Sequence, residues 1–113
     1  MEINDEELGD GIYRLILSGR MDVAGVGQIE TRFAAMTASP RMAIVVDMAA
    51  VPFMSSIGIR ALLMNAKAVK SRGGKLVLLN PDRNVRSVLQ SSGIDQLIPL
   101  CDALDDAVST VAP

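Results

Sequence analysis

Two adjacent serines, Ser55 and Ser56, are the residues best placed to carry chemistry. They head the stretch PFMSSIGIRALLMNAKAVKSR, from Pro52 to Arg72, where a loop becomes a helix-forming run. A hydroxyl at such a junction has two uses. It can accept hydrogen bonds from the free N–H groups of the first helical turn. It can also take up a phosphate, whose roughly two negative charges a helix N-terminus tolerates well. Nucleophilic catalysis is disfavoured. The chain has no histidine, the usual general base near neutral pH, and no motif supports a Ser/Lys pair. The same absence removes the commonest metal ligand, and no acidic cluster has the spacing of a calcium loop. No metal and no cofactor is expected.

Other reactive groups are weaker candidates. Cys101, in LIPLCDAL, reads as a small buried hydrophobe. Gly73-Gly74-Lys75 precedes a strand, so its glycines make a turn and not a phosphate cradle; neither GxGxxG nor GxxxxGK(S/T) is present. Asp47 ends a buried strand, as the phosphoacceptor of a receiver domain does. That fold also needs an acidic pair after its first strand and a lysine after its last, and both are missing here. A binding module is expected rather than an enzyme.

Composition narrows the partners. The 113 residues suffice for a single domain, residues 1–113, with one modest core. Half are hydrophobic and only 3% aromatic, so aliphatic residues and methionine must build that core. A net charge of -2 and no basic patch argue against nucleic acid as a partner. No apolar run approaches the roughly 20 residues of a membrane helix, and the acidic start MEINDEELGDG is not a signal pattern. No membrane insertion and a cytoplasmic location are expected.

The elements that must position the serines follow in order. Residues 2–8 read as a weak edge strand, Gly9-Asp10-Gly11 as a turn, and Ile12 to Ser18 as an alternating strand, together a hairpin. Asp22 caps a helix whose Val26, Ile29, Phe33 and Met36 share one face, and Ser39-Pro40-Arg41 ends it. Met42 to Val46 is apolar without alternation and suits a central strand covered on both faces, closed by Asp47. A loop from Met48 to Met54 then leads to the helix from about Ser56 to Arg72, stopped by Gly73-Gly74. Lys75 to Asn80 is a second buried strand. Pro81-Asp82 opens a helix with Val85, Val88 and Leu89 inward, and Gly93 stops it. Leu97 to Leu100 is a short strand, and Asp102 starts a last helix with Leu104, Ala107, Val108 and Val111 inward. The order β-β-α-β-α-β-α-β-α predicts an α/β domain: a mixed sheet of about five strands with about four helices.

At 100° per residue, the helix after the serines has two apolar sides. Ile59, Leu62, Leu63, Ala66 and Val69 should face the sheet. Ile57, Ala61, Met64 and Ala68 lie nearly opposite, flanked by Arg60, Lys67 and Ser71 on one edge and by Asn65 and Arg72 on the other. An exposed apolar strip with a basic rim suits a partner face, unless another element of the chain covers it.

The run VVDMAAVPFMSSIGIRALL resembles the signature of the STAS domain, the fold of bacterial anti-sigma factor antagonists. Gly19 to Asp22 (GRMD) is similar to the Gly-x-Leu/Met-Asp before that family's first helix. Val85 to Leu97 (VRSVLQSSGIDQL) resembles its later V-x-x-vL-x-x-sGl-x-x-l segment. The resemblance spans nearly the whole chain. It implies a STAS-like fold and a protein that, when unphosphorylated, binds an anti-sigma factor with serine kinase activity. Phosphorylation would release that partner, and a serine phosphatase would reset the switch. Aligned on Gly58, the phosphorylated position is Ser56, with Ser55 the alternative. Ser55 then stands where the family usually has Asp, and Ile57 where it has a second Ser or Thr. Asp22 and Asp47 fall at acidic positions that in the family lie near the modified serine and help form the docking surface. With Ser55, Ile57, Arg60, Ala61, Met64, Lys67 and Ala68 they make up the expected partner-binding set. For Asp22 an N-cap and for Asp47 loop hydrogen bonding remain open. A homodimer through the same strip also stays open. So does a non-switching STAS subunit docked on a larger assembly, such as the ATPase of a lipid transporter.

Overall fold

A computed structural model describes all residues, Met1–Pro113. Strands β1 (Glu2–Gly9) and β2 (Ile12–Ser18) form the leading hairpin. Helix α1 (Val23–Met36), strand β3 (Ala43–Ala50), helix α2 (Ser56–Ser71), strand β4 (Lys75–Leu79), helix α3 (Arg83–Ser91), strand β5 (Leu100–Cys101) and helix α4 (Leu104–Val111) follow. The strands lie in the order β1-β2-β3-β4-β5, with β1 antiparallel to β2 and every later pairing parallel. The hairpin turn places Asp10 and Gly11 at φ 55° and 75°, the positive pair that a tight hairpin with right-handed twist requires.

Strand alternation divides the core between the two faces of the sheet. Leu15, Leu17, Ile44, Val46, Met48, Leu76 and Leu78 point to one face, where α1, α2 and α3 bury them with Ile29, Phe33, Leu62 and Leu89. Ile12, Ala43, Val45, Val77 and Leu79 point to the other, covered by Ala107 and Val111 of α4. Three helices on one face and a single short one on the other explain why β3 and β4 are apolar throughout while β2 alternates.

Several boundaries differ from the sequence expectation. Asp47 does not close β3, which runs on to Ala50 because the strand keeps parallel pairing with β2 past the aspartate. The segment expected as a strand from Leu97 opens instead from a single 3-10 turn, Ile94–Gln96, and only Leu100–Cys101 pairs with β4. Leu97 is left 65% exposed. The last helix is not capped by Asp102, whose side chain pairs with Arg86; its flanking residue is Ala103. No helix is long and apolar enough to cross a membrane.

Candidate functional site

The serine turn is built by two loops laced together by backbone hydrogen bonds. Met21, in the loop between β2 and α1, forms an isolated parallel bridge with Met54 in the loop between β3 and α2. The Met21 N–H donates to Phe53 O at 2.9 Å, and the Ser55 N–H donates to Met21 O at 3.0 Å. The sequence places glycine where this lacing is tightest. A Cβ on Gly58 would lie 2.9 Å from Met21 Cβ and 3.1 Å from Met21 O, so only glycine lets the first turn of α2 close on the Met21 loop.

The two serines have different fates. Ser55 takes the N-cap position but makes no side-chain cap. Its Oγ instead donates to Met21 O at 2.9 Å, which commits its proton to the loop. Ser56 is the first residue of α2, is exposed, and its hydroxyl has no protein partner. Capping, the ordinary role of a serine before a helix, is therefore filled by neither side chain. The first-turn carbonyl work falls to Ser55 O, which accepts from the N–H groups of Gly58 and Ile59.

Asp22 joins this site. It caps α1, with Oδ1 accepting from the Gly25 N–H at 2.8 Å, and its Oδ2 lies 3.5 Å from Arg20 Nε. The Gly25 hydrogen bond, helped by Arg20, holds its carboxyl below the ordinary aspartate range. Arg20 in turn stacks over the ring of Phe53, 4.1 Å from the centroid. Phe53 and Val23 are 37% and 72% exposed, and both flank the turn. Neither they nor Arg20 figured in the expected site. The only sequence signal for them is an apolar residue at a loop tip and at a helix start, where burial is not to be expected.

Asp47 does not converge on the turn. Its neighbours Val46 and Met48 point into the α1–α3 face, so its own side chain points to the opposite face of the sheet. There it is buried, with Oδ2 2.6 Å from Arg14 Nη2 and Oδ1 accepting from the Ala49 N–H at 3.0 Å. The hydrogen bond to Asp47 raises the Arg14 pKa above its ordinary value. Asp47 is thus a structural ion-pair partner of β2, reinforced by Arg14 reaching Glu6 on β1. Strand alternation is the reason: Asp47 lies inside β3 between two residues that face the other way.

The second side of α2 is only partly free, because α1 packs along one of its flanks. Asn65, expected on an exposed edge, is buried. Its Oδ1 accepts from the Thr37 hydroxyl at 2.7 Å and its Nδ2 donates to Ala61 O at 2.8 Å. Arg72 is also half-buried and donates to Thr37 O, Arg41 O and Ala68 O at 2.7, 2.7 and 2.9 Å. These bonds tie the C-terminal ends of α1 and α2 together. What remains is a groove of about 710 Å³ between the helices. Ile57, Arg60, Ala61, Met64 and Ala68 line it from α2, and Val26, Glu30 and Ala34 are among its α1 walls. Met64 is 64% exposed at its centre. Lys67 does not belong to this groove; it projects from the far flank of α2 into a different cleft. Of the expected set, then, Ile57, Arg60, Ala61, Met64 and Ala68 line the groove, Ser55, Ser56 and Asp22 sit at the laced loops and the head of α2, Lys67 lines a different cleft, and Asp47 lies on the far face of the sheet.

The arrangement is an exposed hydroxyl at the head of α2, next in sequence to Ile57, where an apolar groove that Arg60 also lines begins. Comparison with known proteins gives a consistent result. The STAS domain family model matches residues 5–107. BtrV, a candidate anti-sigma factor antagonist of Bordetella bronchiseptica, is 29% identical over 100 residues, which cover 88% of this chain and 86% of BtrV. An anti-sigma factor antagonist from Mycobacterium paratuberculosis superposes with a TM-score of 0.88 at 26% identity, over 99% of this chain and 94% of that one. The Bacillus cell fate determinant SpoIIAA in its phosphorylated form superposes with a TM-score of 0.72 at 22% identity, over 96% and 98% of the two chains.

Proposed function

This chain belongs to the STAS domain family, and on that premise we propose that it is an anti-sigma factor antagonist that works by partner switching. In the unphosphorylated state it binds an anti-sigma factor with serine kinase activity. The surface it offers is the serine turn and the groove formed by Ile57, Arg60, Ala61, Met64 and Ala68. That kinase phosphorylates Ser56, the complex dissociates, and a serine phosphatase restores the binding form. The chain itself is a binding module and not a catalyst.

The observation that carries this reading is the split between the two serines. The Ser56 hydroxyl is exposed and unbonded, while the Ser55 proton is held by Met21 O. A kinase needs the former kind of hydroxyl. A phosphate on Ser56 would stand at the head of α2, where the dipole favours it. It would place about two negative charges next to Ile57, where the apolar groove begins. A partner that buries Ile57 and Met64 would then have to desolvate those charges. SpoIIAA, of the same fold, is known in a phosphorylated form, so the fold accommodates such a group.

The test is incubation with the cognate anti-sigma factor kinase and ATP, read by intact mass. Expected is one phosphate on the parent chain and on Ser55→Ala, and none on Ser56→Ala. If no phosphate is gained by the folded parent chain, the switch is refuted, and a constitutive docking role on a larger assembly takes its place.

A further inference from the structure

A second cleft lies on the other flank of α2, at the end of the domain away from the serine turn. Its apolar lining comes from Leu63 and Ala66 of α2, Leu76 of β4, and the segment Leu97, Ile98 and Pro99. Three lysines, Lys67, Lys70 and Lys75, line it, and no aspartate or glutamate does. None of these lysines takes part in any ion pair of the molecule, although the chain carries more acids than bases. Leu97 stands beside them 65% exposed. The cleft measures about 530 Å³, within the range of roughly 300–1,000 Å³ typical of small-molecule sites, which are mostly apolar with a few fixed polar groups.

We propose that this cleft binds a small amphiphilic anion, a carboxylate with an aliphatic body. The tail packs on Leu63, Leu97 and Pro99 and the head meets the lysine rim. The charge pattern selects this ligand class. Three unpaired ammonium groups around an apolar floor complement one negative head, and they disfavour a neutral or cationic amphiphile. An acidic helix from another protein would need a longer contact surface than a cleft of this size presents. Lys70 lies about 20 Å from Ser56 along α2. The cleft shares no lining residue with the groove, and the proposal does not rest on the switching reading.

The probe is decanoate, titrated into the full chain below its micelle concentration and followed by amide chemical shifts. Expected are saturable shifts at Lys67, Lys70, Gly74 and Leu97 and no change at Ser56. The same shifts should be absent with decyltrimethylammonium, which has the same tail and the opposite charge. Lys67→Glu with Lys70→Glu should weaken decanoate by about tenfold or more, as expected for two reversed contacts at a half-exposed site. Leu97→Asp should abolish saturation. All three positions border solvent, so the fold survives these changes, and far-UV circular dichroism checks it. The proposal is overturned by non-saturable shifts, by equal binding of the cationic analogue, or by a double-glutamate variant that binds as the parent does.

Discussion

Gly→Ala exchanges at Gly58 and Gly27 should act with opposite sign, although both glycines lie in helices. Gly27 is exposed on α1, and a Cβ there meets nothing within 4 Å. Alanine gains about 0.5–1 kcal/mol of helix propensity over glycine in such a place. At Gly58 the added Cβ would sit 2.9 Å from Met21 Cβ, 3.1 Å from Met21 O and 3.1 Å from Met54 Cγ. Two of these three atoms are fixed by the backbone of the Met21–Met54 bridge, so α2 must shift rather than a flexible side-chain tip. Overpacking of this kind costs about 1–3 kcal/mol. The propensity gain in the first helical turn offsets only part of it. A net loss of about 1.5 kcal/mol is expected. With a urea m-value of about 1.5 kcal/mol/M, the midpoint should fall by about 1 M for Gly58→Ala and rise by about 0.5 M for Gly27→Ala. The assay is urea unfolding of both variants and the parent, with equal m-values required. A Gly58→Ala variant as stable as Gly27→Ala would refute the claim that the lacing of Met21 to α2 dictates glycine at that position.

Three further outcomes are expected. Asp47→Ala should lower stability by about 1–2 kcal/mol, because it strands a half-buried Arg14, yet leave partner affinity within twofold when binding is measured on folded protein. Arg72→Met should cost about 2 kcal/mol by freeing the carbonyls of Thr37, Arg41 and Ala68; unfolding midpoints measure it, and loss of the Asn65 amide shift dispersion should report the loosened α1–α2 contact. Asp22 has a depressed folded pKa, so its contribution is present above the unfolded value of about 4 and lost as pH falls through the folded one. Asn caps a helix as well as Asp, so Asp22→Asn should match the parent at pH 7 and lose less stability than it does between pH 4 and pH 2 in urea unfolding series.

Local chemistry determined most of the architecture. Apolar runs without alternation marked β3 and β4 as covered on both faces, the Asp10-Gly11 pair marked the hairpin, and Asp22 marked the start of α1. These signals are legible because each depends on near neighbours in the chain. The signature around Gly58 likewise placed Ser56 at the head of α2, and the two-sided pattern of α2 marked the strip that stays open as a groove.

Tertiary structure decided what no neighbour reports. Asn65 and Arg72 are polar and read as an open edge, but α1 lies on that flank, and its C-cap Thr37 and Arg41 in the following loop are their partners. Asp47 stands five residues before the turn region, yet strand parity turns it to the far face, where Arg14 waits on β2. Lys67 shares a helix with Met64 but borders a different cleft, because α1 packs on one flank of α2 and the Leu97–Pro99 segment approaches the other. Between Ser55 and Ser56 the family resemblance favours the second, but nothing in the sequence tells which hydroxyl is hydrogen-bonded. Only the fold, by bringing Met21 O within 2.9 Å of one of them, engages the first and leaves the second free, because a hydrogen bond between residues 34 positions apart exists only once the loops have met.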